Sequence, residues 1–275
     1  MSRHAGTRGK ARFAATALAL VMAAGLAGCG TDRMSTGSIG PSRGKAVETM
    51  STGELQSASA ALGRSYASNP NDKGLAIKYA TVLQMNGDAD QSLAVMRKLA
   101  IAYPKDRDVL AAYGKALAAN GQLQPALDAV RRAQTPEYPD WKLVSAEGAI
   151  LDQLGQKDQA RERYRKALEL KPNEPSVLSN LGMSYLLGGD LRMAETYLRS
   201  AAQQPGADSR VRQNLALVVG LQGRFDEAEK IASQELPPDQ AAANVAYLRK
   251  MLSQQNAWNQ LKKEDKGGGA ETSTN

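Results

Sequence analysis

The stretch Trp141–Glu174, WKLVSAEGAILDQLGQKDQARERYRKALELKPNE, decides how this chain folds. It contains two amphipathic runs, 142–154 and 157–170, which are separated by a turn at Gly155. A glycine after the first run suits a left-handed helix end, and Pro172 cannot continue the second helix. The stretch therefore predicts a helix, a tight turn, a second helix and a stop.

The same pattern recurs every 34 residues along the chain. Glycines stand at the turn position of five successive segments, namely Gly87, Gly121, Gly155, Gly189 and Gly223. Small residues recur at the eighth position (Ala80, Gly114, Gly148, Gly182, Ala216) and, apart from Ser92, alanine recurs at the twentieth (Ala126, Ala160, Ala194, Ala228). Small residues at matching places let two helices approach closely. The chain thus contains five copies of an internal repeat of 34 residues.

These positions closely resemble the tetratricopeptide repeat (TPR). The resemblance implies an all-α fold, a right-handed superhelix (α-solenoid) of about five helix-turn-helix repeats, which would occupy residues 73–236. We expect an amino-terminal cap or half repeat at 47–72, because Pro70 and Gly53 keep the 34-residue register. A capping helix is expected at 237–264 and a disordered tail at 265–275.

Three irregularities modify the expected repeats. Repeat two lacks proline at the usual stop, so its second helix should end early, near Ala133. Repeat five should have a short second helix, because Pro237 and Pro238 follow it. Asp239 would then cap a final helix over 240–263. On that helix, five side chains would cover the exposed end of repeat five: Val245, Leu248, Leu252, Trp258 and Leu261. The alternative is that Trp258 and Leu261 dock a partner helix.

The net charge of +7 does not indicate a nucleic-acid partner. Four basic residues lie in the first twelve positions, and without them 31 basic residues face 28 acidic ones. No Lys/Arg cluster interleaved with aromatic residues remains to follow a phosphate backbone.

Residues 1–28 read as a signal peptide, with a basic start and an apolar run of 14 residues at 13–26. That run is shorter than the ~20 residues of a permanent membrane span. It ends in Leu26-Ala27-Gly28-Cys29, which resembles the bacterial lipobox and implies lipidation of Cys29, the only cysteine. Gly30, rather than aspartate, favours the outer membrane. The alternatives are an ordinary cleaved signal peptide or an uncleaved anchor. Residues 29–46 would be the lipidated cysteine and a flexible tether, leaving the protein lipid-anchored on the periplasmic face.

Nothing in the sequence indicates an enzyme. After cleavage the chain would hold no histidine and no free thiol, so Ser-His and Cys-His pairs and His/Cys zinc sites are excluded. No phosphate-binding GxxxxGK[ST] motif is present. We expect no cofactor, no metal and no small-molecule substrate.

A partner is expected in the concave groove that first helices of TPRs line. The family positions for contact correspond here to six polar candidates: Lys142, Ser145, Asn180, Arg210, Gln213 and Asn214. Asparagine amides can donate to and accept from a peptide backbone, and the two cations could hold a carboxylate. This partly resembles the two-carboxylate clamp of chaperone-binding TPRs, from which Ala146 and Leu248 depart. An apolar groove floor would favour an apolar strand or helix as ligand: Met183, Leu186, Leu187, Leu217 and Leu221. The alternative is that some of these residues are buried between repeats.

In overall layout the chain is similar to the TadD-type TPR lipoproteins of the tight-adherence (Flp) pilus system. That resemblance implies a non-enzymatic, pilotin-like role, binding a secretin or another pilus-assembly subunit at the outer membrane. Two alternatives remain open. One is a pilotin of another type IV pilus or type II secretion system. The other is an adaptor for peptidoglycan hydrolases or for β-barrel assembly.

Overall fold

The computed structural model describes residues 50–135, 137 and 139–268, with only the backbone for 256–268. These residues form twelve α-helices and no strand, which confirms the all-α class. None of the described helices is long and apolar enough to cross a membrane. The signal peptide, Cys29 and the tether lie outside the described residues, as do the side chains of Trp258 and Leu261.

The chain divides into two compact units between Leu170 and Lys171. The first unit contains α1 (Thr52–Ser68), α2 (Lys73–Met85), α3 (Ala89–Ala102), α4 (Arg107–Ala119), α5 (Leu123–Ala133), α6 (Trp141–Gln153) and α7 (Lys157–Leu170). The second contains α8 (Pro175–Leu187), α9 (Leu191–Ala202), α10 (Ser209–Leu221), α11 (Phe225–Ala232) and α12 (Pro238–Gly268). Helices two to eleven pair as five helix-turn-helix repeats, as predicted.

The turn inside each repeat is a Schellman motif. All five glycines of the 34-residue ladder have positive φ, between 74° and 90°. In every repeat the N–H after the glycine donates to the carbonyl five residues earlier, at 2.8–3.3 Å. The glycine N–H itself donates three residues back, at 2.9–3.2 Å. This pair of bonds satisfies the last carbonyls of the first helix and reverses the chain.

A second ladder, which the sequence reasoning missed, starts each repeat. A carboxylate residue precedes the first helix of every repeat at 34-residue spacing: Asp72, Asp106, Asp140, Glu174 and Asp208. Each carboxylate accepts a hydrogen bond from a backbone N–H in the first turn of its helix. An acid at this place satisfies an otherwise unpaired donor and complements the helix dipole.

The two helices of a repeat pack through the small residues of the ladder. Ala126, Ala160, Ala194 and Ala228 are completely buried. At Gly148 an added Cβ would lie 2.8 Å from the ring of Tyr164. In repeat one, Ser92 replaces the alanine, and its buried hydroxyl donates to the carbonyl of Ala80 at 2.8 Å. The serine is therefore accommodated because its hydroxyl has an acceptor.

The ends of the array follow the predicted pattern with two corrections, one of which is that the last helix continues to Gly268, into the segment expected to be a disordered tail. Repeat two's second helix ends at Ala133 as expected, and repeat five's second helix has eight residues. The last helix begins at Pro238, so Asp239 lies in its first turn and does not cap it. Pro237 accepts the first bonds, from the N–H groups of Gln240 and Ala241 at 3.0 Å. Proline has no backbone N–H, but at the first helical position that N–H would have had no partner within the helix, so proline is tolerated there.

The last helix covers repeat five, as predicted. Ala241 and Val245 are buried against the core of that repeat, and Leu248 occupies the space above Gly220. Val245 continues a 34-residue row with Val177 and Val211. The helix is thus in register as the first helix of an incomplete sixth repeat. At its eighth position stands Lys250, which is exposed.

At the opposite end, α1 begins with a capping box. Ser51 accepts from the Glu54 N–H, and Glu54 accepts from the Ser51 N–H at 2.6 Å. Leu55 is buried, while Leu62 and Tyr66 are half-buried. The Tyr66 and Tyr79 ring centroids lie 5.4 Å apart, so α1 packs on repeat one.

Glu195 lies at the centre of a partly exposed ion network in the second unit. Its carboxylate accepts from Arg224 at 2.5 Å, from Gln222 at 2.8 Å and from Arg199 at 2.7 Å. Arg199 also pairs with Glu227. The hydrogen bond from Arg224, followed by those from Gln222 and Arg199, lowers the pKa of Glu195 from 4.5 to about 2, although burial opposes this. The network joins α9 to the turn between α10 and α11.

Gly182→Ala should destabilise the protein. The new Cβ would lie 2.8 Å from Leu198 Cγ and 3.0 Å from the Ala194 carbonyl oxygen, so the two helices must separate. We expect a loss of about 1–3 kcal/mol in unfolding free energy, measured by urea denaturation. The control is Gly53→Ala in α1, where no atom lies within 4 Å of the new Cβ. That change should be neutral or stabilising. Equal effects at the two sites would contradict this packing account.

In the variant Glu195→Gln, the free energy of unfolding should fall less steeply as the pH is lowered from about 4.5 to 2. At pH 7 we expect a loss of about 1–3 kcal/mol, because charge-assisted hydrogen bonds from two arginines are weakened. The folded pKa lies below the unfolded one, so the contribution is full above about pH 4.5 and disappears as the pH falls towards 2. Denaturation curves of wild type and variant should therefore converge over that range. A difference that stays constant with pH would show that ionisation of Glu195 does not matter.

Candidate functional site

The predicted groove residues of the first unit differ in their accessibility. Lys142 is half-buried, and its Nζ lies 5.5 Å from the centroid of the Trp141 ring. Ser145 is only 3% exposed, so its hydroxyl does not face a ligand. We therefore remove Ser145 from the contact candidates and retain Lys142.

In the second unit, two predicted contacts already serve the protein itself. The Asn214 side-chain amide donates to Ser179 Oγ at 3.2 Å, which connects α10 to α8. The Arg210 guanidinium donates to Asp208 Oδ2 at 2.6 and 3.0 Å. Because Asp208 offsets that positive charge, Arg210 is a weaker carboxylate clamp than the sequence implied. The carboxylate that caps α10 thus also holds the cation.

Two predicted amides remain at accessible positions of the same unit. Gln213 is exposed, and its Nε2 donates to Ser209 Oγ at 2.9 Å. Asn180 is half-buried on α8. Gln213 can exchange this local contact for one with a peptide backbone, to which both amides offer a donor and an acceptor.

The residues predicted for the apolar floor are partly accessible, although Met183 and Leu186 also pack against the core of the second unit. Met183, Leu186, Leu187, Leu217 and Leu221 are all half-buried. The last helix adds two exposed apolar side chains, Tyr247 (67% exposed) and Met251 (45%). Met251 lies in the same 34-residue row as Met183 and Leu217, the ninth position of three successive first helices. Sequence reasoning missed Tyr247 and Met251, although extending the register past Pro238 would have found them.

The contact between these three helices supports one common surface. α10 packs against α8, and α12 packs against α10. We use the term contact row for the side chains at the ninth position together with Gln213 and Tyr247, which lie four residues before Leu217 and Met251. Its members are Met183, Gln213, Leu217, Tyr247 and Met251. The contact row is apolar in the middle and neutral throughout, which suits an apolar polypeptide segment.

The first unit has a polar recess of about 350 Å³, lined by residues of α5, α6 and α7. The buried Glu147 carboxylate accepts from Arg131 Nε at 2.9 Å and from Gln134 Nε2 at 3.0 Å. At its mouth Arg163 pairs with Glu162 at 3.1 Å. The charged groups of the recess are paired with one another. The hydrogen bonds from Arg131 and Gln134 to Glu147 connect repeat two to repeat three. In the described part of the chain, no group of three His, Cys, Asp or Glu side chains could hold a metal ion.

Comparison with family models identifies the repeat. Residues 80–140 match a model described as Tetratricopeptide repeat, and residues 148–189 match one described as TPR repeat. No curated protein gives a significant sequence match to the chain.

Solved TPR structures share the fold. PilW, described as a widely conserved type IV pilus biogenesis factor, is 17% identical with a TM-score of 0.59, covering 70% of this chain and 91% of PilW. PilF of Pseudomonas aeruginosa is 22% identical with a TM-score of 0.50, covering 66% and 83% respectively. A thermophilic TPR protein of Thermus thermophilus is 22% identical with a TM-score of 0.56, covering 63% and 96%. At these identities the likeness concerns the fold. Register, turns, packing and family models agree that this chain is a protein of tandem tetratricopeptide repeats.

Proposed function

We propose that this protein is a lipid-anchored TPR adaptor of the outer membrane that assists assembly of a tight-adherence (Flp) pilus machine. The observation that carries the proposal is the contact row, a neutral apolar surface on three successive first helices of the second unit. TPR proteins are interaction scaffolds, and such a surface binds a polypeptide. The proposed partner is a segment of the secretin subunit.

Contact chemistry limits the kind of segment that fits. Met183, Leu217 and Met251 provide flexible apolar contacts that adapt to different side chains. Gln213 offers both a donor and an acceptor at the edge of that row. An apolar strand or one face of an amphipathic helix satisfies both parts. An acidic peptide would find Arg210, one of the two cations predicted to hold a carboxylate, already paired with Asp208.

Localisation rests on the amino-terminal sequence. Leu26-Ala27-Gly28-Cys29 resembles a lipobox, and Gly30 favours the outer membrane. Lipid on Cys29 would hold the repeats at the periplasmic face, beside the site where secretin subunits assemble. Several acyl chains together make such an anchor stable.

One alternative receives specific support. PilW and PilF share the fold, and PilW is described as a type IV pilus biogenesis factor, so a pilotin of a type IV pilus is the second candidate. The two machines differ in their neighbouring genes. A tight-adherence operon beside this gene supports the first, and a type IV pilus operon supports the second.

Changing the contact row should release the partner. The double variant Tyr247→Lys and Met251→Lys places two charges on exposed positions of α12, so the fold should be unaffected. We expect secretin recovered with the protein from solubilised envelopes to fall at least about tenfold, because central apolar anchors dominate binding. The matched control is Ala246→Lys with Ser253→Lys, which adds the same charge to exposed positions on another face of the helix. Normal secretin recovery with the Tyr247/Met251 variant, or normal secretin multimers without this protein, would sink the proposal.

Cys29→Ser should detach the protein from the membrane. The chain has no other cysteine to accept lipid, so the variant should move from the outer-membrane fraction to the soluble periplasm or stay unprocessed. Fractionation with metabolic fatty-acid labelling measures this. The Ser38→Ala variant of the proposed tether is the control and should remain labelled. Unchanged fractionation and labelling of Cys29→Ser would disprove lipid anchoring.

A further inference from the structure

Ile101 is an exposed apolar residue surrounded by positive charge. It lies on α3 in the first unit and is 76% exposed, the most among large apolar side chains of the described residues. Arg97 and Lys98 lie four and three residues earlier, and both are exposed. Residues at these spacings share one face of a helix. The outer face of α3 therefore combines an isoleucine with two cations.

Two more cations complete this surface. Lys105 is exposed in the turn after α3. Arg132 of α5 donates from Nη2 to the Pro104 carbonyl at 2.8 Å, which places its guanidinium beside the Lys105 backbone. We call this surface the Ile101 patch. It consists of Arg97, Lys98, Ile101, Lys105 and Arg132.

The nearby acids leave the patch positive. Asp106 and Asp108, which follow Lys105, lie 2.9 and 3.8 Å from the Lys73 ammonium. Asp90 of α3 accepts from Asn120 at 2.5 Å and lies about two turns before Arg97. Asp128 is one turn before Arg132 on α5. Lys73 balances one of the two charges on Asp106 and Asp108, so the four cations of the patch face one remaining charge there and Asp128, which leaves the patch positive.

We propose that the Ile101 patch rests on an anionic lipid bilayer and so orients the first repeats at the membrane surface. Each basic residue near an anionic membrane raises binding about fivefold, and an apolar side chain among them enters the interfacial region. A lipid surface suits both parts of the patch, since an acidic protein segment would match the cations and leave Ile101 in water.

The position of the patch in the chain agrees with this occupant. The inference rests on the proposed lipid anchor, because 22 residues separate Cys29 from α1. Even fully extended, they span at most about 75 Å. A lipid on Cys29 therefore keeps repeat one near the bilayer, where a weak patch acts at high local concentration.

A single fluorescent label at position 101 tests the proposal. In the chain from residue 29 onward with Cys29→Ser, which lacks the basic and apolar segment 1–28, the substitution Ile101→Cys provides the only thiol for an environment-sensitive fluorophore. Vesicles contain equal parts of phosphatidylglycerol and phosphatidylcholine, or phosphatidylcholine alone. We expect a blue shift at position 101 on the anionic vesicles only, and its loss at high salt. The same label at Lys78→Cys, on the first helix of the repeat, should not shift.

Charge variants show whether the patch itself is responsible. The triple variant Arg97→Ala, Lys98→Ala and Lys105→Ala should lower the partition of the labelled patch onto anionic vesicles on the order of a hundredfold. The control Lys115→Ala, Lys230→Ala and Lys250→Ala removes the same charge from exposed positions elsewhere and should have little effect. Circular dichroism confirms that both variants fold.

Three outcomes overturn the proposal. They are no shift at position 101 on any vesicle, an equal shift on neutral vesicles, and equal partition of the two triple variants. A shift produced by polyglutamate in place of vesicles would assign the patch to an acidic protein. Because the assay uses Cys29→Ser and no secretin, its failure leaves the lipidation and secretin experiments unaffected.

Discussion

In repeats two, three and four, the two helices approach so closely at the eighth position that their packing depends on the missing side chain of a glycine. At Gly114, Gly148 and Gly182 an added Cβ would lie 2.6–2.8 Å from a buried side chain of the facing helix. Close contact is possible only because the Schellman turn reverses the chain at a fixed angle. The glycine turn and the small residues therefore act together, and the surfaces that remain exposed follow from them.

Packing inside the repeats separates two surfaces with different chemistry. First helices of the second unit present the neutral contact row, with Met183, Leu217 and Met251 at the ninth position. Second helices of the first unit present exposed cations, of which Arg97 and Arg132 belong to the Ile101 patch. Within the contact row, Met183 also packs against the core of the second unit, whereas Tyr247 and Met251 are exposed. Each unit can thus carry its own interaction without changing the repeat.

The repeat was predictable from the sequence because turns and small residues recur at a fixed spacing. Contact residues were less predictable, since their partners belong to other helices. The register identified Asn214, but the amide donates to Ser179, and Ser145 is buried. The register also reaches Val245 and Met251, although Pro237 and Pro238 made α12 appear to be a separate cap. Capping acids such as Asp106 were missed because one carboxylate between helices has no apolar periodicity to mark it.

Lys250 limits what the last described helix can pack against. It occupies the eighth position of α12, where each of the five repeats has glycine or alanine. A long, hydrated side chain at this position keeps another helix from approaching α12 as closely as the second helix approaches the first within a repeat. A helix that paired with α12 in the manner of the five repeats would therefore require a smaller residue in place of Lys250.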